Sequence, residues 1–188
     1  NFGNTPLHYL VRNSNLDENE TVAIMEKMLV AGANPNIVSK HGETLLIAAI
    51  QNNIDVAKHI LPYTDNINQK TEDGMSAFLF AAMMNDLDLM KELADRGANI
   101  NDISNDNSSA IAILLSEEKS ASQQKTFDWL FENGAELHDD ALKLAVEMSI
   151  QRGYPEVAAR LPVNELDGTE LITKVSNING PAFVNKLK

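Results

Sequence analysis

The chain of 188 residues contains no cysteine, which excludes a disulfide framework, thiolate catalysis and a cysteine-ligated zinc site. Aromatic residues are few: six Phe, three Tyr and one Trp. Basic residues are also scarce, 15 against 27 acids, for a net charge of −12. That balance argues against broad binding to nucleic acid or anionic membranes, both of which need a positive surface. No apolar run approaches the roughly 20 residues of a membrane span, so direct membrane insertion is not expected. No signal peptide is visible. An initiator Met is missing too, and Asn1 reads as an internal boundary of a longer chain. The length suits one domain or one run of repeats.

The acidity is uneven. Residues 1–64 carry 4 − 6 = −2, residues 65–140 carry 5 − 16 = −11, and residues 141–188 carry 6 − 5 = +1. One reading is a solvated face that keeps an elongated protein soluble; the sharper one is an acidic surface for a basic partner.

A self-similar motif runs along the chain. Gly3-Asn4-Thr5-Pro6-Leu7-His8 opens its first copy, and copies starting at Gly42, Gly74 and Asn107 follow at offsets of 39, 32 and 33. The ends recur as well: Ala33-Asn34-Pro35-Asn36, Asp65-Asn66-Ile67-Asn68, Ala98-Asn99-Ile100-Asn101 and Ala135-Glu136-Leu137-His138, spaced by 32, 33 and 37. Polar insertions near Asn15–Glu20 and Glu117–Gln124 account for the longer copies.

Each copy reads as two short helices and a turn. In the third, the Ser76 hydroxyl can cap a first helix over Ala77–Met84, and Asn85-Asp86 breaks it. Leu89, Met90 and Leu93 fall at helical spacing in a second helix, Leu87–Asp95, and Gly97 supplies the left-handed residue that ends it. Ala98–Asp106 is a polar, Asn-rich turn. Ala48-Ala49 and Ala81-Ala82 are small enough to let neighbouring copies approach closely. Neither helix is long enough to stand alone in water, so stability must come from stacking copy on copy.

These residues resemble the ankyrin repeat. Thr5-Pro6-Leu7-His8 fits the family motif at all four positions, and Gly32-Ala33-Asn34 and Gly97-Ala98-Asn99-Ile100-Asn101 fit the end of the repeat. The resemblance covers about residues 3–138 and fades beyond. It implies an all-α helical repeat solenoid with four recognisable repeats and two degenerate ones. Their bounds are about 1–38, 39–70, 71–103, 104–138, 139–163 and 164–188, within a single repeat domain. In the fifth, Asp140 is expected to cap a helix over Ala141–Met148, followed by Pro155–Leu161; residues 169–176 and 181–187 would form the last pair. Only the first repeat keeps the motif histidine, which in the family bridges backbone groups of adjacent repeats; Ile47, Leu79 and Ala112 replace it later. His8 is therefore read as structural, and Phe127, Trp129, Leu130 and Phe131 as core.

Chemistry is sparse. His8, His41, His59 and His138 stand in no metal-binding spacing, and no phosphate-binding loop or nucleophile elbow occurs. The Asp139-Asp140 and Glu117-Glu118 pairs are adjacent and do not converge on one substrate. No enzyme activity, cofactor or metal is expected. The family function implied is a non-catalytic scaffold that binds a protein on its concave face. An alternative is a targeting module of a larger protein with a catalytic domain outside these residues; the use of Asn, Ile, Lys and Asp is compatible with a protozoan or an intracellular bacterium, and for the latter the resemblance implies a host-directed effector. The expected location is the cytoplasm, that of a host cell under the effector reading.

Carrying the repeat register across gives contact candidates. They are Lys40, His41, Glu43, Gln51 and Asn52 in the second repeat and Glu72, Asp73, Met75, Met83 and Met84 in the third, with Asn105, Asp106, Ser108, Ser116 and Glu117 in the fourth. Exposed methionines suit an adaptable contact surface. The resemblance also implies that the Asn closing a repeat can be hydroxylated, and Asn101, eight residues after Leu93, has the preferred context.

Overall fold

The computed structural model describes residues 3–117 and 120–162. It is built of helices. They are α1 (Pro6–Val11), α2 (Glu18–Val30), α3 (Leu45–Asn52), α4 (Ile54–Ile60), α5 (Ala77–Met83), α6 (Leu87–Asp95), α7 (Ala110–Ser116), α8 (Ala121–Glu132), α9 (Asp139–Gln151) and α10 (Pro155–Ala158). A 3-10 turn, Leu61–Tyr63, prolongs α4. Among the described residues, extended pairing consists of two single antiparallel bridges, Lys70 with Ser76 and Ile103 with Ser109. The chain divides into two compact units, Asn1–Asn99 and Ile100–Lys188. The pair of helices expected in residues 164–188 lies outside the described residues.

The first helices of the second, third and fourth repeats start on the same device. The hydroxyls of Thr44, Ser76 and Ser109 accept from the N–H groups of Ile47, Leu79 and Ala112, at 3.2, 3.4 and 3.2 Å. This satisfies donors that the helix leaves orphaned. Among the second helices, Asn53 caps α4 and Asp86 caps α6, the latter accepting from Leu89 N–H at 2.9 Å. Between helices, Asn85 takes φ 49° and turns the chain after α5.

In the first unit α3 packs on α1 and α5, and α2 on α4. Ala48, Ala49, Ala81 and Ala82 are fully buried, so these helices meet over methyl groups. Leu7, Leu46 and Phe78 fill the layer below, at equivalent positions of three repeats. In the second unit α7 packs on α8 and α9, and α9 on α10.

Several expectations are corrected. The two polar insertions, read from the sequence only as lengthening their repeats, each carry a helix start. Asp17 opens α2 with a capping box to Glu20, and Ser120 opens α8 with one to Gln123. The inserted residues largely become an added first turn of each second helix. In the fifth repeat the helix starts at Asp139, not after Asp140, with His138 at the cap position and Asp139 at φ 51°. It runs on to Gln151, and its partner is the single turn Pro155–Ala158. Phe127 and Leu130 are core, whereas Trp129 and Phe131 are only partly buried. Phe131 lies under the Arg160 guanidinium, 4.2 Å from the ring centre.

His8 is buried, and its Nδ1 accepts from Thr5 N–H at 3.2 Å and sits 2.9 Å from the Thr5 hydroxyl. The bridge to the second repeat is looser than the resemblance implies. The Glu43 main chain acts on the ring, yet Nε2 has no partner at full hydrogen-bonding geometry. Desolvation holds the His8 pKa below the ordinary histidine value, against the opposing pull of Glu43. The folded state therefore takes up a proton less readily than the unfolded chain. Stability present above about pH 6.5 is lost as pH falls below it. Denaturation midpoints at pH 7 and pH 5 should show this acid loss in the native chain. The loss should be reduced in His8→Leu, which mimics Leu79; an equal drop in both would place the acid sensitivity elsewhere.

Candidate partner-binding surface

Asparagine side chains join one repeat end to the next. Asn36 Oδ1 accepts from Asp65 N–H at 2.9 Å. Asn68 does more: Oδ1 accepts from Asn99 N–H at 2.8 Å, and Nδ2 donates to the Gly97 carbonyl at 2.9 Å. Asn101 repeats the pattern within the second unit, accepting from Glu136 N–H at 2.8 Å and donating to the Gly134 carbonyl at 3.2 Å. The amide of the hydroxylation candidate thus has a structural task at both ends, and Leu93 is buried.

The hairpin tips are joined in the same way. Glu72 N–H donates to the His41 carbonyl at 2.8 Å, and His41 Nδ1 meets Glu72 Oε2 at 2.8 Å. Both side chains stay largely exposed, as do Lys40 and Asp73. Glu43 differs: its carboxylate is mostly buried and held by Arg12 of the first repeat. At the helix ends Gln51 and Asn52 are exposed, and Asn52 Nδ2 folds back to the Ala48 carbonyl at 2.7 Å. Met83 and Met84, at the end of α5, are exposed, while Met75 is half-buried behind its hairpin. The methionines thus separate into an accessible pair and one that partly packs.

Asn105 and Asp106 belong to the second unit and are exposed. Asp106 braces its own hairpin, accepting from the Ser104 hydroxyl and from Ser108 N–H. The Ser104 hydroxyl is the main cause holding its carboxyl below the usual aspartate value. Ser108 is half-buried; Ser116 and Glu117 are exposed.

Two features escaped the sequence reading. Beside the Asn101–Asn107 hairpin lies an open hollow of about 390 Å³, also lined by Glu136, His138, Asp139 and Asp140. It opens because the fifth repeat has no hairpin of its own and the chain runs from His138 straight into α9. The second is a buried polar knot. Gln123 Nε2 donates to the Leu114 carbonyl at 3.0 Å, and Gln123 Oε1 accepts from Tyr154 O–H at 2.6 Å and Ser120 N–H at 2.8 Å. The signal for it was present, since Ser120-x-x-Gln123 is a capping-box pattern.

Among the described residues no group of three or more histidines and carboxylates could hold a metal ion, and no helix is long and apolar enough to cross a membrane. The model of the ankyrin repeats family, three copies long, matches residues 18–104 and again 45–141. The chain belongs to the ankyrin repeat family. Ankyrin repeats generally mediate protein–protein interaction and are generally non-catalytic. Two solved ankyrin structures resemble this one in fold. An ankyrin repeat domain from Acinetobacter baumannii AYE is 19% identical, with a TM-score of 0.66 over 84% of this chain and 96% of that one. A second ankyrin repeat protein is 24% identical, with a TM-score of 0.68 over 84% of this chain and 79% of its own. No curated protein matches the sequence significantly.

Proposed function

We propose that this ankyrin repeat chain binds a partner protein on a surface of its second and third repeats. The surface comprises the hairpin tips at Lys40, His41, Glu72 and Asp73 and the exposed helix ends at Gln51, Asn52, Met83 and Met84. The observation that carries the reading is the exposed Met83–Met84 pair. Two adjacent flexible thioethers left in water at the end of an otherwise buried helix suit an apolar anchor on a partner. The charge of 5 − 9 = −4 over residues 39–99, which hold this surface, favours a basic contact region around that anchor.

The two contributions separate kinetically. Long-range attraction speeds encounter and is screened within about 10 Å at 0.1 M salt, so association with a partner recovered by pull-down should slow as salt rises. The methionines hold the complex once formed. Met83→Ser with Met84→Ser should raise the dissociation rate about tenfold, the loss of about 1.4 kcal/mol of contact. The denaturation midpoint should barely change, because exposed-site substitutions usually cost within about 0.5 kcal/mol. Normal binding by a folded double variant would move the contact to another face.

A further inference from the structure

We infer that the face of the first repeat turned away from the second is a stacking surface, built to take a further helix pair of the same repeat type ahead of it. Five of the eight large apolar residues exposed among the described residues fall in that repeat: Tyr9, Ile24, Val30, Ile37 and Val38. Scattered exposed apolar residues are ordinary in a protein surface. Two of these, however, occupy register positions that are internal in the next repeats.

Tyr9 lies 39 residues before Ala48, which lies 32 before Phe80, the same offsets that separate the turn motifs. Tyr9 is 59% exposed, whereas Ala48 is 0% and Phe80 only 8%. Ile24, Val56 and Leu89 are likewise related by offsets of 32 and 33, those of the repeat ends. Ile24 is 37% exposed, whereas Val56 and Leu89 are both 0%. Side-chain size does not explain the contrast, since Phe80 nearly matches Tyr9 in bulk and Leu89 matches Ile24.

The difference is in neighbours. Helix α3 has α1 on one side and α5 on the other, whereas α1 packs on α3 alone among the other repeats' first helices. The Tyr9 and Ile24 positions are covered wherever a preceding repeat exists and open where none is described. A repeat that ends a stack carries a polar outer face for solubility. Here the outer face offers Tyr9, Ile24 and the exposed Pro6, with Leu10 half-buried. The established α1–α3 joint defines the occupant: a helix pair offering to α1 and α2 the face that they offer to α3 and α4.

The test adds such a pair to the full chain. A copy of residues 39–71 placed directly before Asn1 keeps the register, because Thr71 is the third-repeat equivalent of the position just ahead of Asn1. A second graft, residues 72–104, ends at the same register position and guards against a failed junction. Amide hydrogen exchange is read in α1 and α2. Protection there should rise about tenfold or more in a grafted chain, since stacking suppresses local opening. Tyr9→Asp with Ile24→Asp should abolish that rise while hardly changing the ungrafted chain. No rise with either helical graft would overturn the inference, and so would an equal rise in the double variant. Concentration-dependent self-association of the ungrafted chain, removed by the same two substitutions, would also overturn it, by giving the face to a second copy.

Discussion

Gly42→Ala is expected to destabilise the first unit by about 2–5 kcal/mol, the sum of a left-handed backbone cost and an overpacking cost. Gly42 sits at φ +76°, and a methyl group there would lie 2.5 Å from the Lys70 carbonyl oxygen and 2.9 Å from Thr71 Cα. Those are backbone atoms of the next hairpin, which cannot swing aside as a flexible side chain would. Gly97→Ala is the control. Its φ of +89° is equally unfavourable, but nothing lies within 4 Å of the added carbon. It should cost only the conformational share, about 1–2 kcal/mol. Chemical denaturation of the two variants separates the causes. Equal losses would mean that hairpin crowding is relieved by a shift of the third repeat's turn.

Gln123→Leu should be comparably severe in the second unit. It leaves the buried Leu114 carbonyl without its partner, at about 1–3 kcal/mol, and removes one bond each from the Tyr154 hydroxyl and the Ser120 N–H, at about 0.5–1.5 kcal/mol apiece, or about 2–6 kcal/mol together. Tyr154→Phe should be much milder, about 1 kcal/mol, because Gln123 Oε1 keeps its bond from Ser120 N–H. The pair also predicts an alkaline signature. Burial is the main cause raising the Tyr154 pKa, with the Glu156 carboxylate adding to it. The unfolded chain therefore ionises first. Stability present below about pH 10 is lost as pH rises beyond it. Tyr154→Phe should reduce that loss. A midpoint that falls equally in both chains between pH 9 and pH 11 would mean that Tyr154 does not drive it.

Much of the architecture was legible because its signals are local. Ser76, Asp86 and Gly97 mark helix ends by what their own backbone and side chains can do, and α6 begins and ends where the spacing of Leu89, Met90 and Leu93 places it. What failed depends on distant partners. Gln123 falls in the polar insertion near Glu117–Gln124, yet it is buried and satisfied by Leu114 and by Tyr154, 31 residues away. Glu43 occupies an exposed register position by motif, yet Arg12, 31 residues earlier, draws it in. In the surface proposal, Met83 and Met84 differ from Met75 only in what packs beside them, and nothing in a methionine codon run reports that.

The asparagine links between repeat ends bear on how such a chain tolerates changes of length. From Asn68 to its acceptor Gly97 is 29 residues, and from Asn101 to Gly134 is 33. The difference, 33 − 29 = 4, is close to the roughly 3.6 residues of one α-helical turn. It appears at the start of the second helix, where α8 has 12 residues and α6 has 9. A whole turn added there leaves the far end of the helix in phase, so both amides find the same carbonyl and N–H. An insertion of two residues would instead rotate that end by about 200° and turn its apolar stripe toward water. Gene-level insertions and deletions at these sites should therefore survive in steps of three or four codons and be lost at one or two.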